Sequence, residues 1–169
     1  MLLQIGLIGI LILLILFISS GCTSLKKIYS NEVCSELNKE KSNVKQSEII
    51  DEDTVKDLPM PVIKHFRVCG FMGQKQMANV KIVWENAYIR MDKNRGWLKL
   101  TCEQFNFVIP EPARIVLMRS NIAGFIPFCG RDKYQDGHGN MYIRLLGRLT
   151  IGNVSGKNMD QSALVTLLA

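Results

Sequence analysis

The sequence predicts an α+β protein: an N-terminal transmembrane helix, then short helices and a curved, mostly antiparallel β-sheet followed by a C-terminal helix. Three observations carry this expectation. Residues Leu2 to Ile18 hold one polar side chain, Gln4, and no charge, enough for a helix to cross a hydrocarbon layer about 30 Å thick. From Met77 onward apolar residues recur at every second position between clusters of Gly, Asp, Asn and Pro, as in strands joined by turns. Between Asp51 and Gly70, and again after Asp160, the apolar spacing is helical. A chain of 169 residues has room for one folded unit.

Residues 1–21 read as a transmembrane anchor or signal-like segment. Ser19-Ser20-Gly21-Cys22 resembles a bacterial lipoprotein cleavage box in which Cys22 would carry the lipid. No Lys or Arg precedes the apolar run, whereas an export signal normally has a basic start. Lys26 and Lys27 follow it, and the positive-inside rule then favours a cytoplasmic side for what comes next. These two features point in opposite directions, so a single-pass, membrane-anchored chain is expected with its side left open. Residues 22–47, including LNKEKSNVKQS, have little apolar periodicity and read as a polar stalk, helical in part. The folded domain is expected over 48–169.

Within that domain the acidic cluster Asp51-Glu52-Asp53 opens a short helix containing Val55 and Leu58, which Pro59 ends. Pro61 suits the first turn of a second helix with Val62, Ile63 and Phe66 as its apolar stripe and Gly70 as its left-handed end. Val80, Ile82 and Trp84 alternate with Lys81, Val83 and Glu85 in a strand, and the break at Glu85-Asn86 predicts a bulge or tight turn. Asp92 to Gly96 is a hairpin loop. The long strand WLKLTCEQFNFV places Leu98, Leu100 and Cys102 on one face and Trp97, Lys99, Thr101, Glu103 and Phe105 on the other. After Pro110-Glu111-Pro112, strands follow at ARIVLMR and FIPFC, with a turn at Asn121 to Gly124 between them. Asp136-Gly137-His138-Gly139-Asn140 is a hairpin tip. Beyond it MYIRLLGRLTI reads as a strand with Met141, Ile143, Leu145, Leu149 and Ile151 facing one way and Tyr142, Arg144, Leu146, Arg148 and Thr150 the other. Asp160 is expected to cap a last helix bearing Leu164, Leu167 and Leu168.

Few residues advertise chemistry. Cys22, Cys34, Cys69, Cys102 and Cys129 lack C-x-x-C spacing and read as scattered thiols rather than zinc ligands or a disulfide framework. Asp132, Asp136 and His138 miss the calcium-loop pattern and are too few for zinc, so a turn explains them and no metal or other cofactor is expected. Cys69 with His65 or His138 would need a third group to orient the pair. No phosphate loop, dinucleotide fingerprint or nucleophile elbow occurs. The basic surplus from Lys64 to Lys99 fits anionic headgroups near an anchored domain, where each cation contributes about 1 kcal/mol, better than nucleic acid; solvation is the plain alternative.

Four ordered stretches carry a family resemblance: IIDEDTVKDLPMPVIKHFR, RGWLKLTCEQFNFVIP, GRDKYQDGHGNMYIRLLG and SGKNMDQSALVTLLA. Together they span about Ile49 to Ala169, and this part resembles an uncharacterised prokaryotic membrane-anchored family, the 6544/6920 group of domains of unknown function. The resemblance implies no reaction and no functional residue. Similar proteins carry an aromatic in the strand at Arg114 to Met118 and continue beyond the last helix, which implies that this chain is C-terminally shortened. In architecture alone the strand pattern is similar to that of periplasmic lipoprotein carriers.

The expectation is therefore a membrane-anchored, non-catalytic protein that binds lipid or another amphipathic ligand on its sheet. Trp97, Phe105, Arg144, Leu146 and Arg148 are the expected ligand-binding residues, because alternation leaves apolar groups beside cations. The expected partners are membrane lipids and such a ligand, with no nucleic acid. The alternatives are a remnant of an enzyme completed by a missing C-terminal region and a membrane-tethered assembly protein.

Overall fold

A computed structural model of the chain describes residue 9 and residues 25–42, 49–90, 92–108 and 111–168. The expected transmembrane run and Cys22 lie outside the described residues, Gly9 excepted. Among the described residues no helix is long and apolar enough to cross a membrane.

Residues 25–42 are helical (α1). Leu25, Tyr29, Val33 and Glu36 are buried, a spacing that makes one helix face. Tyr29 and Val33 pack with Phe107, Ala113, Ile115 and Leu117 of the sheet, and Leu37 and Phe105 join them. The segment expected as a stalk is thus a core element over these residues.

Two short helices come next, α2 (Glu52–Val55) and α3 (Met60–Val68). Asp51 caps α2 in a reciprocal box: its carboxylate accepts from Thr54 N–H at 2.8 Å, and Thr54 Oγ1 accepts from Asp51 N–H at 3.3 Å. The end of α3 follows from Gly70, whose φ of 74° costs glycine little. Gly70 N–H donates to Arg67 O at 3.2 Å and Phe71 N–H to Phe66 O at 2.9 Å, while the Phe66 and Phe71 rings meet edge to face. This is a Schellman end with its apolar clasp.

The sheet is a six-stranded antiparallel meander in chain order: β1 (Asn79–Ile89), β2 (Leu98–Phe107), β3 (Ala113–Ile122), β4 (Ile126–Gln135), β5 (His138–Leu145) and β6 (Leu149–Ser155). The predicted irregularity in β1 is a register shift between Trp84 and Ala87. The hairpin tip expected at Asp136-Gly137 is a two-residue turn with φ of 53° and 80°, closing Gln135 against His138. The run 141–151 differs from expectation. It is two strands, β5 and β6, joined through Leu146 (φ 50°) and Gly147 (φ 73°), with Leu145 opposite Leu149.

A final helix, α4 (Lys157–Leu168), packs on β5. It begins three residues before the expected cap. Asp160 instead accepts from Gly139 N–H at 2.7 Å, tying the helix to the start of β5. Ala163, fully buried, faces Gly139.

Candidate functional site

Registers divide the side chains into two faces. One face carries Phe105 and Phe107 of β2, Ala113, Ile115 and Leu117 of β3, and Arg131, Lys133 and Gln135 of β4. α1 lies on it and contributes an acidic row at four-residue spacing. Glu32 meets Arg131 and Lys133, each at 3.4 Å; Glu36 accepts from Gln135 at 2.8 Å; Glu40 accepts from Asn79 at 2.6 Å. Moving from Glu32 to Glu36 therefore moves from Arg131 to Gln135, so α1 runs parallel to β4. Tyr29, one turn earlier, feels Glu103 and Arg119. Its hydroxyl is pushed up to about 12, first by burial and then by the Glu103 charge.

The opposite face centres on a buried ion pair, Arg114 with Asp132 on neighbouring strands, beside Cys102 and Val116. Burial also raises the Cys102 thiol, against the nearby Arg114 charge that lowers it. This pair is structural in form. Asp132 is committed to Arg114, which removes it from any set with Asp136 and His138. His138 Nδ1 lies 3.8 Å from Asp160 instead. Among the described residues no group of three or more ligating side chains forms a metal site. Cys69 Sγ sits 3.6 Å from both His65 ring nitrogens, one helical turn away and exposed, with no acid in the described contacts to orient the ring.

The meander brings another set together. In an up-and-down sheet alternate connections share an end, so the links β1–β2, β3–β4 and β5–β6 lie side by side. Trp97 precedes β2 and is 67 % exposed, Phe125 in the β3–β4 turn 76 %, and Tyr88 near the end of β1 59 %. Segments 85–101, 119–130 and 144–151, cut at one row of the register, contain Arg90, Lys93, Arg95, Lys99, Arg119, Arg144 and Arg148 against Glu85 and Asp92. Seven cations against two acids is +5, most of the whole chain's formal net charge of +6. Apolar surface and surplus charge coincide at one end.

Four of the five expected ligand residues belong here. Trp97 lies in the connection, Arg144 stands over the Tyr142 ring at 5.6 Å, and Leu146 and Arg148 flank the β5–β6 turn rather than a strand face. Phe105 does not: it stacks on Phe107 at 5.7 Å and packs against the α1 cluster. Tyr88 and Phe125 were missed. The signal that finds them is the strand order, which sets alternate turns at one end.

At this same end the face that carries α1 holds a cavity of about 530 Å³ lined by Lys99, Leu100, Thr101, Arg119, Ser120, Asn121, Gly124, Pro127, Phe128 and Cys129. Arg119 donates to Glu103 at 2.9 Å, and Glu103 also holds Lys81 at 3.6 Å. A family model, described as a family of unknown function (DUF6544), matches residues 48–169. The chain belongs to DUF6544. No curated protein and no solved structure matches it. In this DUF6544 chain α1 precedes the matched residues, yet it supplies the helix that covers the family domain's sheet.

Proposed function

We propose that this chain is a membrane-associated, non-catalytic binding protein whose sheet turns its three-hairpin end toward anionic lipid. The observation that carries the reading is the meeting of exposed Trp97, Tyr88 and Phe125 with most of the charge surplus at one end of the sheet. Aromatic rings favour the headgroup level of a bilayer, and each cation near an anionic surface adds about 1 kcal/mol. The direction of α1 agrees. Because α1 runs parallel to β4, its first described residue, Leu25, lies toward the hairpin end, and the apolar run Leu2–Ile18 precedes it. An anchor formed by that run would hold this end toward the bilayer.

Vesicle flotation of a chain beginning at Thr23 tests the proposal. Flotation is expected with phosphatidylcholine vesicles containing phosphatidylglycerol and not with phosphatidylcholine alone. The pair Lys93→Glu and Arg95→Glu weakens it by on the order of fivefold per charge removed, and Trp97→Ser with Phe125→Ser weakens it independently. Equal flotation on both vesicle types, or no effect of either pair, refutes the reading.

A further inference from the structure

We infer that the cavity beside Lys99 and Arg119 is a site for one phosphate-bearing headgroup, that of an anionic phospholipid drawn from the contacted leaflet. The inference rests on the lipid-facing reading above and adds a discrete, saturable site to it.

Several observations carry it. The cavity volume, about 530 Å³, falls within the range of roughly 300–1,000 Å³ typical of small-ligand sites. Among the described residues its lining holds two cations and no carboxylate, with Thr101 and Asn121 as neutral polar groups on the same face. Lys99 makes no ion pair among the described residues, and its ammonium brings three donors. Arg119 shares Glu103 with Lys81, so that acid is outnumbered and guanidinium donors remain for a second acceptor. Pro127 and Cys129, on the same face as Lys99 and Arg119, give the lining an apolar part suited to the glycerol of a lipid rather than to a bare anion. A cavity built from the ends of β2, β3 and β4 opens where the aromatic tips would meet headgroups. α1 lies along the same face, with described contacts at Phe105 to Leu117 and Arg131 to Gln135 and with Tyr29 near Glu103 and Arg119.

The test uses the full chain in zwitterionic detergent, titrated separately with dihexanoyl phosphatidylglycerol, dihexanoyl phosphatidylcholine and inorganic phosphate. The amide resonances of Ser120, Asn121 and Gly124 are followed. Saturable shifts with phosphatidylglycerol alone are expected, weakened at least tenfold by Lys99→Gln and abolished by Asn121→Trp, which fills the space without changing charge. Unchanged melting temperatures establish that both variants are folded. Equal saturation by inorganic phosphate upholds the phosphate site and assigns it to the free ion, overturning the lipid source. No saturable shift with any probe, or shifts that both variants leave intact, overturns the site. Wild-type flotation on anionic vesicles separates the two claims. If it persists while the titration fails, the surface reading stands without the cavity; if it is absent, the surface reading itself has failed.

Discussion

Replacing Gly139 by alanine tests how α4 is held. Gly137 and Gly139 stand two residues apart in one hairpin, yet they are glycine for different reasons. Gly137 has φ of 80° and open space around it, so a methyl there costs conformation only, on the order of 1–2 kcal/mol. At Gly139 no unusual φ is present, but a Cβ would lie 2.6 Å from Met159 O and 2.9 Å from Ala163 Cβ. Ordinary contact begins at 3.4 Å, leaving the carbonyl 0.8 Å too close, and that carbonyl belongs to a helix that cannot yield locally. Withdrawing α4 by that amount stretches the 2.7 Å bond from Gly139 N–H to Asp160 towards the limit of a hydrogen bond. Overpacking of about 1–3 kcal/mol and partial loss of a charge-assisted bond of about 1.5–3 kcal/mol together give a destabilisation of about 3 kcal/mol. Urea unfolding of Gly139→Ala and Gly137→Ala measures both. A second change, Ala163→Gly, relieves the methyl contact but not the carbonyl, so it restores only part of the loss. Should Gly139→Ala cost no more than Gly137→Ala, α4 does not sit on β5 as described.

Three further outcomes are expected. Arg114→Met strands the buried Asp132 carboxylate and lowers stability by about 3–5 kcal/mol, while adding Asp132→Leu recovers most of that in a double-mutant cycle; additive losses would refute the pairing. Tyr29 has its folded pKa raised above 10, so its stabilising share is complete below pH 10 and fades as pH climbs toward 12, at about 1.4 kcal/mol per unit. Tyr29→Phe should flatten that alkaline decline and be neutral or slightly stabilising at pH 7, since the buried hydroxyl has no hydrogen-bond partner among the described residues; a steep decline that survives the change would count against it. Of the four described thiols, Cys34 and Cys69 are exposed and Cys102 and Cys129 buried, so a maleimide reagent should modify the first two in the native protein and the others only on unfolding, as peptide mapping will read.

Much of the sheet was legible because β-turn chemistry is local. Asp136-Gly137, Asp92 to Gly96 and Glu85-Asn86 each mark a place where the backbone must depart from a regular strand, and residue type alone records it. The turn at Leu146-Gly147 was hidden by parity. Leu145 pairs with Leu149, four residues on, and an even step keeps the apolar alternation in phase across the turn. α1 was hidden by its charge. Glu32, Glu36 and Glu40 sit beside the stripe Leu25, Tyr29 and Val33, and read alone they indicate solvent. The sheet partners of Glu32 and Glu36, namely Arg131, Lys133 and Gln135, lie about a hundred residues away, and Asn79, the partner of Glu40, lies 39 away, distances that local periodicity does not span. Trp97, Arg144, Leu146 and Arg148 were gathered from composition; their common end follows only from strand order, and Phe105 left the set because α1 covers it.

The orientation of the sheet on lipid is tested most directly by depth probes at its two ends. β4 runs from Ile126 to Gln135, about 30 Å at 3.3 Å per residue, so Phe125 and Asp136 mark opposite ends. Phe125→Cys and Asp136→Cys, each introduced into the full chain with Cys22, Cys34 and Cys69 changed to serine and reconstituted in phosphatidylglycerol-containing vesicles, carry an environment-sensitive fluorophore read against a headgroup-bound quencher. The account predicts strong quenching at position 125 and little at 136. Equal quenching at both positions, or the reverse order, contradicts it.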